Sequence, residues 1–563
     1  MVFDRGIVTQ EMINEQYAGS GTEQNPFKVS WISDDPLYPM AYHTSSKWAL
    51  LSLVSLAFFT VSLVSSSYSG GMGEIVDFFQ TSEEIATLGI SFYVIGFALG
   101  PLFLAPLSEL YGRRPTCIFS AAALTAFTAG TAGVQNIESL IILRFLAGSL
   151  GSAPMAVSGG VVADTFPAVS RGLASGLNAA APFLGPTIGP IVGGFLAASG
   201  GWRWAQGFLA AFSGAILVAT VFLQPETYAP VLLRQRAETL SRITGRVYCS
   251  TLDMEGRNAS TSEALKIALS RPFVLLFREP IVFLLSLYLA IIYGTLYMFF
   301  TAYPIVFQQV RGWSKGIGGL SFLGILVGIL FALAYIFLIH FQYKKKTLQA
   351  QGRLPPEERL PASFIGSVAL PVSLFWFAWT NSPSTHWIIP ISAGVPFGYG
   401  MVMVFMPVLN YLIDSYTIYA ASVTAANSLI RSLFGALFPL FTGYMYRGLG
   451  IHWASSVPAF LALACVPMPF LFHKYGARIR RRCHYAAEAD AFMSRLLKST
   501  KTDTRQKSKG NQETIDLETV DSVVNEERLD IGGMADITLH EIAHTPNNRT
   551  SWDSRAISNH SLV

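Results

Sequence analysis

Charge is scarce in this chain: Asp, Glu, Lys and Arg together make up 13% of its 563 residues, against 51% hydrophobic residues. A soluble protein of this size needs more polar surface than that, so the bilayer is the expected solvent. Cysteine is also sparse. Cys117, Cys249, Cys465 and Cys483 show neither disulfide-framework nor zinc-ligand spacing and read as reduced thiols. No Gly-rich phosphate loop with Lys and Ser or Thr occurs, and the polar segments carry no nucleophile elbow and no metal-ligand cluster. ATP-driven action, enzymatic catalysis and a bound metal or cofactor are therefore not expected. A net charge of +4, spread between apolar runs, gives no footprint for nucleic acid. The opening MVFDRGIVTQEMINEQYAG lacks the basic region and apolar core of a cleavable signal, so the first apolar run is expected to direct insertion.

Long apolar runs are what the chain has in abundance. Runs of about twenty residues, enough to cross about 30 Å of hydrocarbon, begin near Trp48, Ala86, Thr116, Glu138, Gly172 and Arg203, and again near Glu279, Gly316, Pro361, His386, Ile418 and Trp453. The expected fold is all-α and polytopic, with twelve transmembrane helices in two six-helix bundles. The expected units are an N-terminal tail (1–46), a first bundle (47–223), a central linker (224–278), a second bundle (279–473) and a polar tail of disordered composition (474–563). The tail opens on HYAAEADAFMSRLLK, a possible amphipathic helix.

If both termini are cytoplasmic, the inner loops hold about sixteen Lys and Arg and the outer loops about four, the asymmetry of the positive-inside rule. The sequons at Asn258, Asn548 and Asn559 then face the cytoplasm and are expected to stay unglycosylated. The halves also repeat. Asn178, Pro190 and Gly194 recur as Asn427, Pro439 and Gly443 at a constant offset of 249, and Gly89, Ser91 and Phe92 recur as Gly319, Ser321 and Phe322 at 230. Helices five and eleven, and two and eight, should correspond, and a six-helix repeat places a site between the halves.

The loop after the second run reads APLSELYGRRP, residues 105–115, with Glu109 four residues before a Gly-Arg-Arg turn. It resembles the loop signature of the major facilitator superfamily, in the form seen in the fungal branch of the twelve-span drug:proton antiporters. Ala105, Glu109 and Leu110 depart from the commonest pattern, where Gly, Asp and a basic residue stand. Physically, Glu109, Arg113 and Arg114 can clasp one conformation and release another; the alternative is simple topological retention by two arginines.

Arg144 lies inside the apolar run ILRFLAGSLGSAP, where a buried cation costs at least ~2.5 kcal/mol on insertion scales. The segment resembles the family's helix-four motif, which implies a part in proton coupling; the alternative is a structural donor to backbone carbonyls. Asp164 and Arg171, in ADTFPAVSRG, look like the family's next cytoplasmic pair, which implies gating. Gly185, Pro186, Gly189, Pro190, Gly193 and Gly194, in GLNAAAPFLGPTIGPIVGGFL, allow close helix approach and a hinge. That run resembles the family's antiporter motif, which implies export; a tight packing face without directional meaning is the alternative. PETYAPVLLRQRAETL and NSLIRSLFGALFPLF also look like the fungal branch, so the resemblance covers nearly all of 48–482.

Arg431, inside the eleventh run, is a second buried cation and is expected in or beside the cavity. Tyr293, Tyr297 and Phe300 share one helical face and suit flat guests, although an interfacial belt or plain packing explains such residues equally. Asn178 and Asn427 are placed with them in the cavity. No acid lies in the middle of an apolar run, which leaves Glu109 and Asp164 as proton-carrying candidates with Asp414 behind them. The same absence disfavours strongly cationic cargo such as polyamines.

These readings converge on a monomeric multi-pass transporter of the plasma membrane. It is expected to export small organic molecules such as drugs, toxins or secondary metabolites by alternating access, with the proton gradient as energy source and no cofactor. Uptake or export of an organic acid or polyamine, and a non-transporting sensor, are the other readings.

Overall fold

The computed structural model describes residues 8–32, 35, 37–251, 261–349 and 355–492. Among these, ten helical segments are long and apolar enough to cross a membrane. Two are far longer than one crossing needs, Ser170–Leu223 with 54 residues and Thr417–Arg480 with 64. Each is broken by a glycine in a left-handed conformation, Gly201 (φ 82°) and Gly450 (φ 75°), where the helical φ/ψ is lost. Counting each as two crossings turns the ten segments into twelve helices.

The first half contains α1 (Thr44–Ser67), α2 (Glu83–Tyr111), α3 (Arg113–Gly133), α4 (Ile137–Gly151, continued by Ala153–Thr165), α5 (181–200) and α6 (202–223). The second contains α7 (Pro280–Tyr303), α8 (Leu323–Gln349), α9 (Ala362–Thr380), α10 (Gly394–Ser415), α11 (420–449) and α12 (451–465). The expected starts fall within a few residues of these, with three exceptions: Gly172 lies inside a separate short helix, Ala168–Asn178, ahead of α5, and Gly316 and His386 fall at the short helices Lys315–Gly319 and Ile388–Ser392 that precede α8 and α10.

Hydrocarbon offers no partners to the peptide group, so the chain satisfies itself in helices. Hydroxyls in the apolar runs follow suit by donating back to the preceding turn. Thr60 Oγ1 reaches the Leu56 carbonyl at 2.7 Å, and Thr442 Oγ1 that of Phe438 at 2.6 Å. Caps mark the turns: Ser82 Oγ accepts from the Ile85 amide, with Glu83 and Glu84 in the first turn of α2. Large apolar side chains such as Phe103, Phe119, Trp204, Phe331, Ile365 and Phe460 are exposed on the outside of the bundle, where lipid covers them.

Within the halves, α1 packs along α5 and α7 along α11; between them, α2 packs on α11 and α5 on the start of α8. Of the repeat signals, Gly89, Ser91 and Phe92 lie in α2, while Gly319, Ser321 and Phe322 lie just ahead of α8. Asn178 and Asn427 lie at the starts of the fifth and eleventh runs, and Pro190 and Pro439 stand inside α5 and α11.

The N-terminal segment joins the linker. Phe27–Val29 pairs in parallel with Tyr248–Ser250, and Asp35 takes Arg236, on the linker helix Ala229–Thr244, at 2.5 and 3.1 Å. Val29, Leu233, Ala237 and Leu240 form its core. Residues 484–492 are helical; the remaining tail and the three sequons lie outside the described residues. The bundle therefore has a linker end, carrying the linker and the described chain ends, and a far end.

Candidate functional site

Three layers of polar side chains run along the bundle axis. At the linker end, Gly112 (φ 105°) ends α2 and turns the chain into α3. A Cβ at this position would sit 2.3 Å from Glu226 Oε2, so both the backbone and the neighbouring carboxylate demand glycine. Glu226, in the PETY segment after α6, accepts from the backbone amides of Arg113 (2.9 Å), Arg114 (3.1 Å), Thr227 (3.0 Å) and Tyr228 (3.0 Å). It thereby caps the N-terminus of α3 from a segment more than a hundred residues away, where helix-end amides and dipole favour an anion.

The Arg113 guanidinium meets Asp164 Oδ2 at 3.5 Å, donates to Ser108 Oγ at 2.8 Å and lies 4.6 Å from the Tyr228 ring centre. Asp164 also accepts from Thr227 Oγ1, and the Glu109 charge acts on Arg113. Arg114 donates to the Val221 carbonyl, and Arg171 to the carbonyls of Ala163 and Phe166 at the end of α4. The second half repeats the scheme: Arg359, before α9, binds Asp414 at the end of α10 at 2.6 Å, and Arg480 binds Glu357 at 2.9 and 3.2 Å. Each of these pairs lies within one half.

At mid-depth sits Arg144, 1% exposed. Its Nε donates to the Gly89 carbonyl at 2.7 Å and its Nη2 to that of Ser65 at 2.8 Å, with weaker contacts to Val64. The rings of Tyr68 and Tyr93 lie 4.4 and 4.8 Å away. Arg144 thus ties α4 to α1 and α2 through backbone carbonyls, the geometry of a structural donor.

The hydroxyl of Ser65 lies 2.9 Å from Tyr297 Oη in the other half, and Tyr293 Oη donates to Tyr297 Oη at 3.3 Å. Arg431 follows, 4.8 Å from the Tyr293 ring centre and 5.2 Å from that of Phe405. A buried chain of contacts therefore links the two intramembrane arginines across the halves. Phe300 extends the ladder, 4.9 Å from Tyr297. All three ladder rings are enclosed by protein, away from any interfacial belt.

Asn178 is satisfied inside the first half by Ser55 Oγ (3.1 Å) and Ser158 Oγ (3.0 Å). Among the described residues, its counterpart Asn427 keeps its buried Nδ2 without a partner.

The six α5 residues line tight contacts. Cβ atoms at Gly185, Gly189 and Gly193 would meet α1 within 2.5, 1.8 and 2.0 Å, and one at Gly194 would meet the Lys315 carbonyl of the other half at 2.8 Å. Pro186 and Pro190 stand inside the helix, and the Pro190 carbonyl lies where Gly319 approaches.

The far end is crossed by ion pairs between halves, Glu74 with Lys315 at 3.0 Å and Glu84 with Arg447 at 2.5 Å, and by Gln309 Nε2 to Glu83 at 3.5 Å. None of these residues stood out in the sequence, because their partners lie some 230 to 360 residues apart on separate helices. Glu226 carried a faint signal as the lone acid of the PETY segment.

Comparison with known proteins agrees with this architecture. The family model described as Major Facilitator Superfamily matches residues 54–439. The chain is 58% identical over 499 residues to the MFS-type efflux pump MFS2 of Trichophyton rubrum, covering 88% of this chain and 84% of that protein. It is 57% identical over 515 residues to the major facilitator superfamily multidrug transporter mdrA of Aspergillus fumigatus, covering 92% and 85%. Among solved structures, the proton:xylose symporter XylE shares the fold with a TM-score of 0.56 at 16% identity, over 77% of this chain and 96% of that one. With ten apolar spans among its described residues, two of them broken at a glycine into two crossings each, this integral multi-pass membrane protein belongs to the major facilitator superfamily.

Proposed function

We propose that this chain is a secondary active exporter of small organic molecules, driven by protons flowing inward, with its linker end and both termini in the cytoplasm of the host cell. The carrying observation is the placement of the ion pairs. Those named at the far end bridge the halves, while none of those named at the linker end does. That arrangement supports a carrier held with its far gate shut and its cytoplasmic side free to admit cargo. The efflux and multidrug names of the similar fungal proteins support the outward direction and the range of cargo.

Opening the far end requires Glu74–Lys315 and Glu84–Arg447 to part and the two halves to rock about the midplane. The glycine face of α5 lets α1 and the start of α8 shift against it without side chains in the way, and Pro186 and Pro190 supply the bend. At the linker end, Asp164 and Glu109 are the groups that take up and release the coupled proton. Protonating Asp164 removes the anion facing Arg113 and loosens the α3–α4 clasp. The chain acts as a monomer in the plasma membrane.

The test is intracellular accumulation of a panel of fluorescent and antifungal compounds in a pump-deleted yeast expressing this chain, with and without a proton uncoupler. Lower accumulation that the uncoupler abolishes supports proton-driven export. Unchanged accumulation across the panel, with the protein demonstrated at the membrane, counts against it and favours an importer or a sensor.

A further inference from the structure

Arg431 differs from every other buried arginine named above. Arg113 faces Asp164, Arg236 holds Asp35, Arg480 holds Glu357, and Arg144 is bonded to three backbone carbonyls. Arg431 is 6% exposed, its Nε is buried without a partner, and among the described residues no hydrogen bond or ion pair reaches its guanidinium. Its neighbours are the aromatic rings of Tyr293 and Phe405.

A second donor stands beside it. Asn427, one turn earlier on the same face of α11, is 2% exposed and its Nδ2 is also buried without a partner. The surroundings reach into both halves. Phe405 packs edge-to-face on Phe183 of the first half at 4.8 Å, and Tyr293 connects through Tyr297 to Ser65. A charged donor and an amide, desolvated and unsatisfied side by side, form a site for an acceptor that the protein itself does not supply.

We propose that Arg431 and Asn427 form an oxyanion subsite for the cargo, and that the preferred cargo is a flat aromatic monoanion such as a carboxylic acid. The carboxylate accepts from the Arg431 and Asn427 N–H groups, and its ring lies against Tyr293 and Phe405. This rests on the export reading and narrows it. The site also gives the exchange an electrical consequence: an anion leaving while a proton enters moves two charges in the same sense, so the inside-negative potential drives both.

The purified protein distinguishes the ideas with three ring-matched probes: 1-naphthoate, 1-naphthamide and 1-naphthylmethylammonium. Wild type should bind naphthoate at least about tenfold more tightly than naphthamide, the yield of one charge-assisted pair, and the ammonium most weakly. In Arg431→Gln the acid-to-amide ratio should fall towards one, while Arg431→Lys should keep part of it. Equal binding of acid and amide by wild type, or an unchanged ratio in Arg431→Gln, overturns the subsite; the wild-type comparison decides even if a variant fails to fold. Failure of the export reading shows separately, as absence of uncoupler-sensitive efflux of every compound in the yeast panel.

Discussion

Replacing Arg144 with lysine separates two roles that its position allows. The guanidinium fork donates to the carbonyls of Gly89 and Ser65 at 2.7 and 2.8 Å and touches Val64 at 3.3 and 3.4 Å, so one side chain joins α4 to both α1 and α2. A lysine ammonium keeps the charge but is a point donor and cannot span carbonyls on two helices. Losing the equivalent of two charge-assisted hydrogen bonds costs about 3 kcal/mol at the low end of the usual range. For a chain of this size that corresponds to a fall in melting temperature of roughly 2–3 °C. Thermal unfolding in detergent, followed by size-exclusion fluorescence, measures it alongside efflux in intact cells. Lower melting temperature and lower efflux together support a structural clamp. A lysine variant that melts with wild type yet exports nothing refutes that reasoning and assigns the charge to the transport cycle itself.

Four further outcomes follow from the same contacts. Gly193→Ala should abolish folded protein, because its Cβ would meet the Ser67 carbonyl at 2.0 Å, whereas Gly443→Ala, whose Cβ would meet only Arg447 Nη2 at 3.5 Å, should leave expression and efflux near wild type; membrane-protein yield checks both. Gly112→Ala should fail likewise, and pairing it with Glu226→Gln should not rescue it, since the φ of 105° remains. Reversing Glu84 to Lys should weaken the far gate only slightly, as befits an exposed pair; far-end cysteine labelling should rise a few-fold and return on adding Arg447→Glu. Tyr297→Phe removes the hydroxyl that meets Ser65 across the halves, a loss of about 1 kcal/mol, and should slow efflux with little change in membrane abundance.

Helix number and order were legible because a span must be some twenty residues long and nearly free of charge, a constraint that leaves a long trace in sequence. Corners were less so: Gly201 and Gly450 turn helix into hairpin with almost no polar loop. Arg144 and Arg431 announced themselves because a cation in an apolar run is costly. Ser65, Val64 and Phe405 among their partners did not, since they are ordinary residues whose role comes from three-dimensional placement. Symmetry also misled in part. Asn178 and Asn427 are equivalent in the repeat, yet the first is bonded on both sides and the second keeps an unpartnered nitrogen. The Gly-Arg-Arg turn carried its meaning only halfway, because Glu226, which explains the glycine, stands in a segment that no local pattern connects to it.

The most direct test of the central claim is substrate flux in inside-out plasma-membrane vesicles from cells expressing the chain, with the lumen made acidic by a pH jump. The account predicts rapid accumulation of cargo in the lumen, collapsing when a protonophore is added and lost in vesicles lacking the protein. Accumulation that ignores the gradient, or that appears only when the lumen is made alkaline, would contradict proton-driven export.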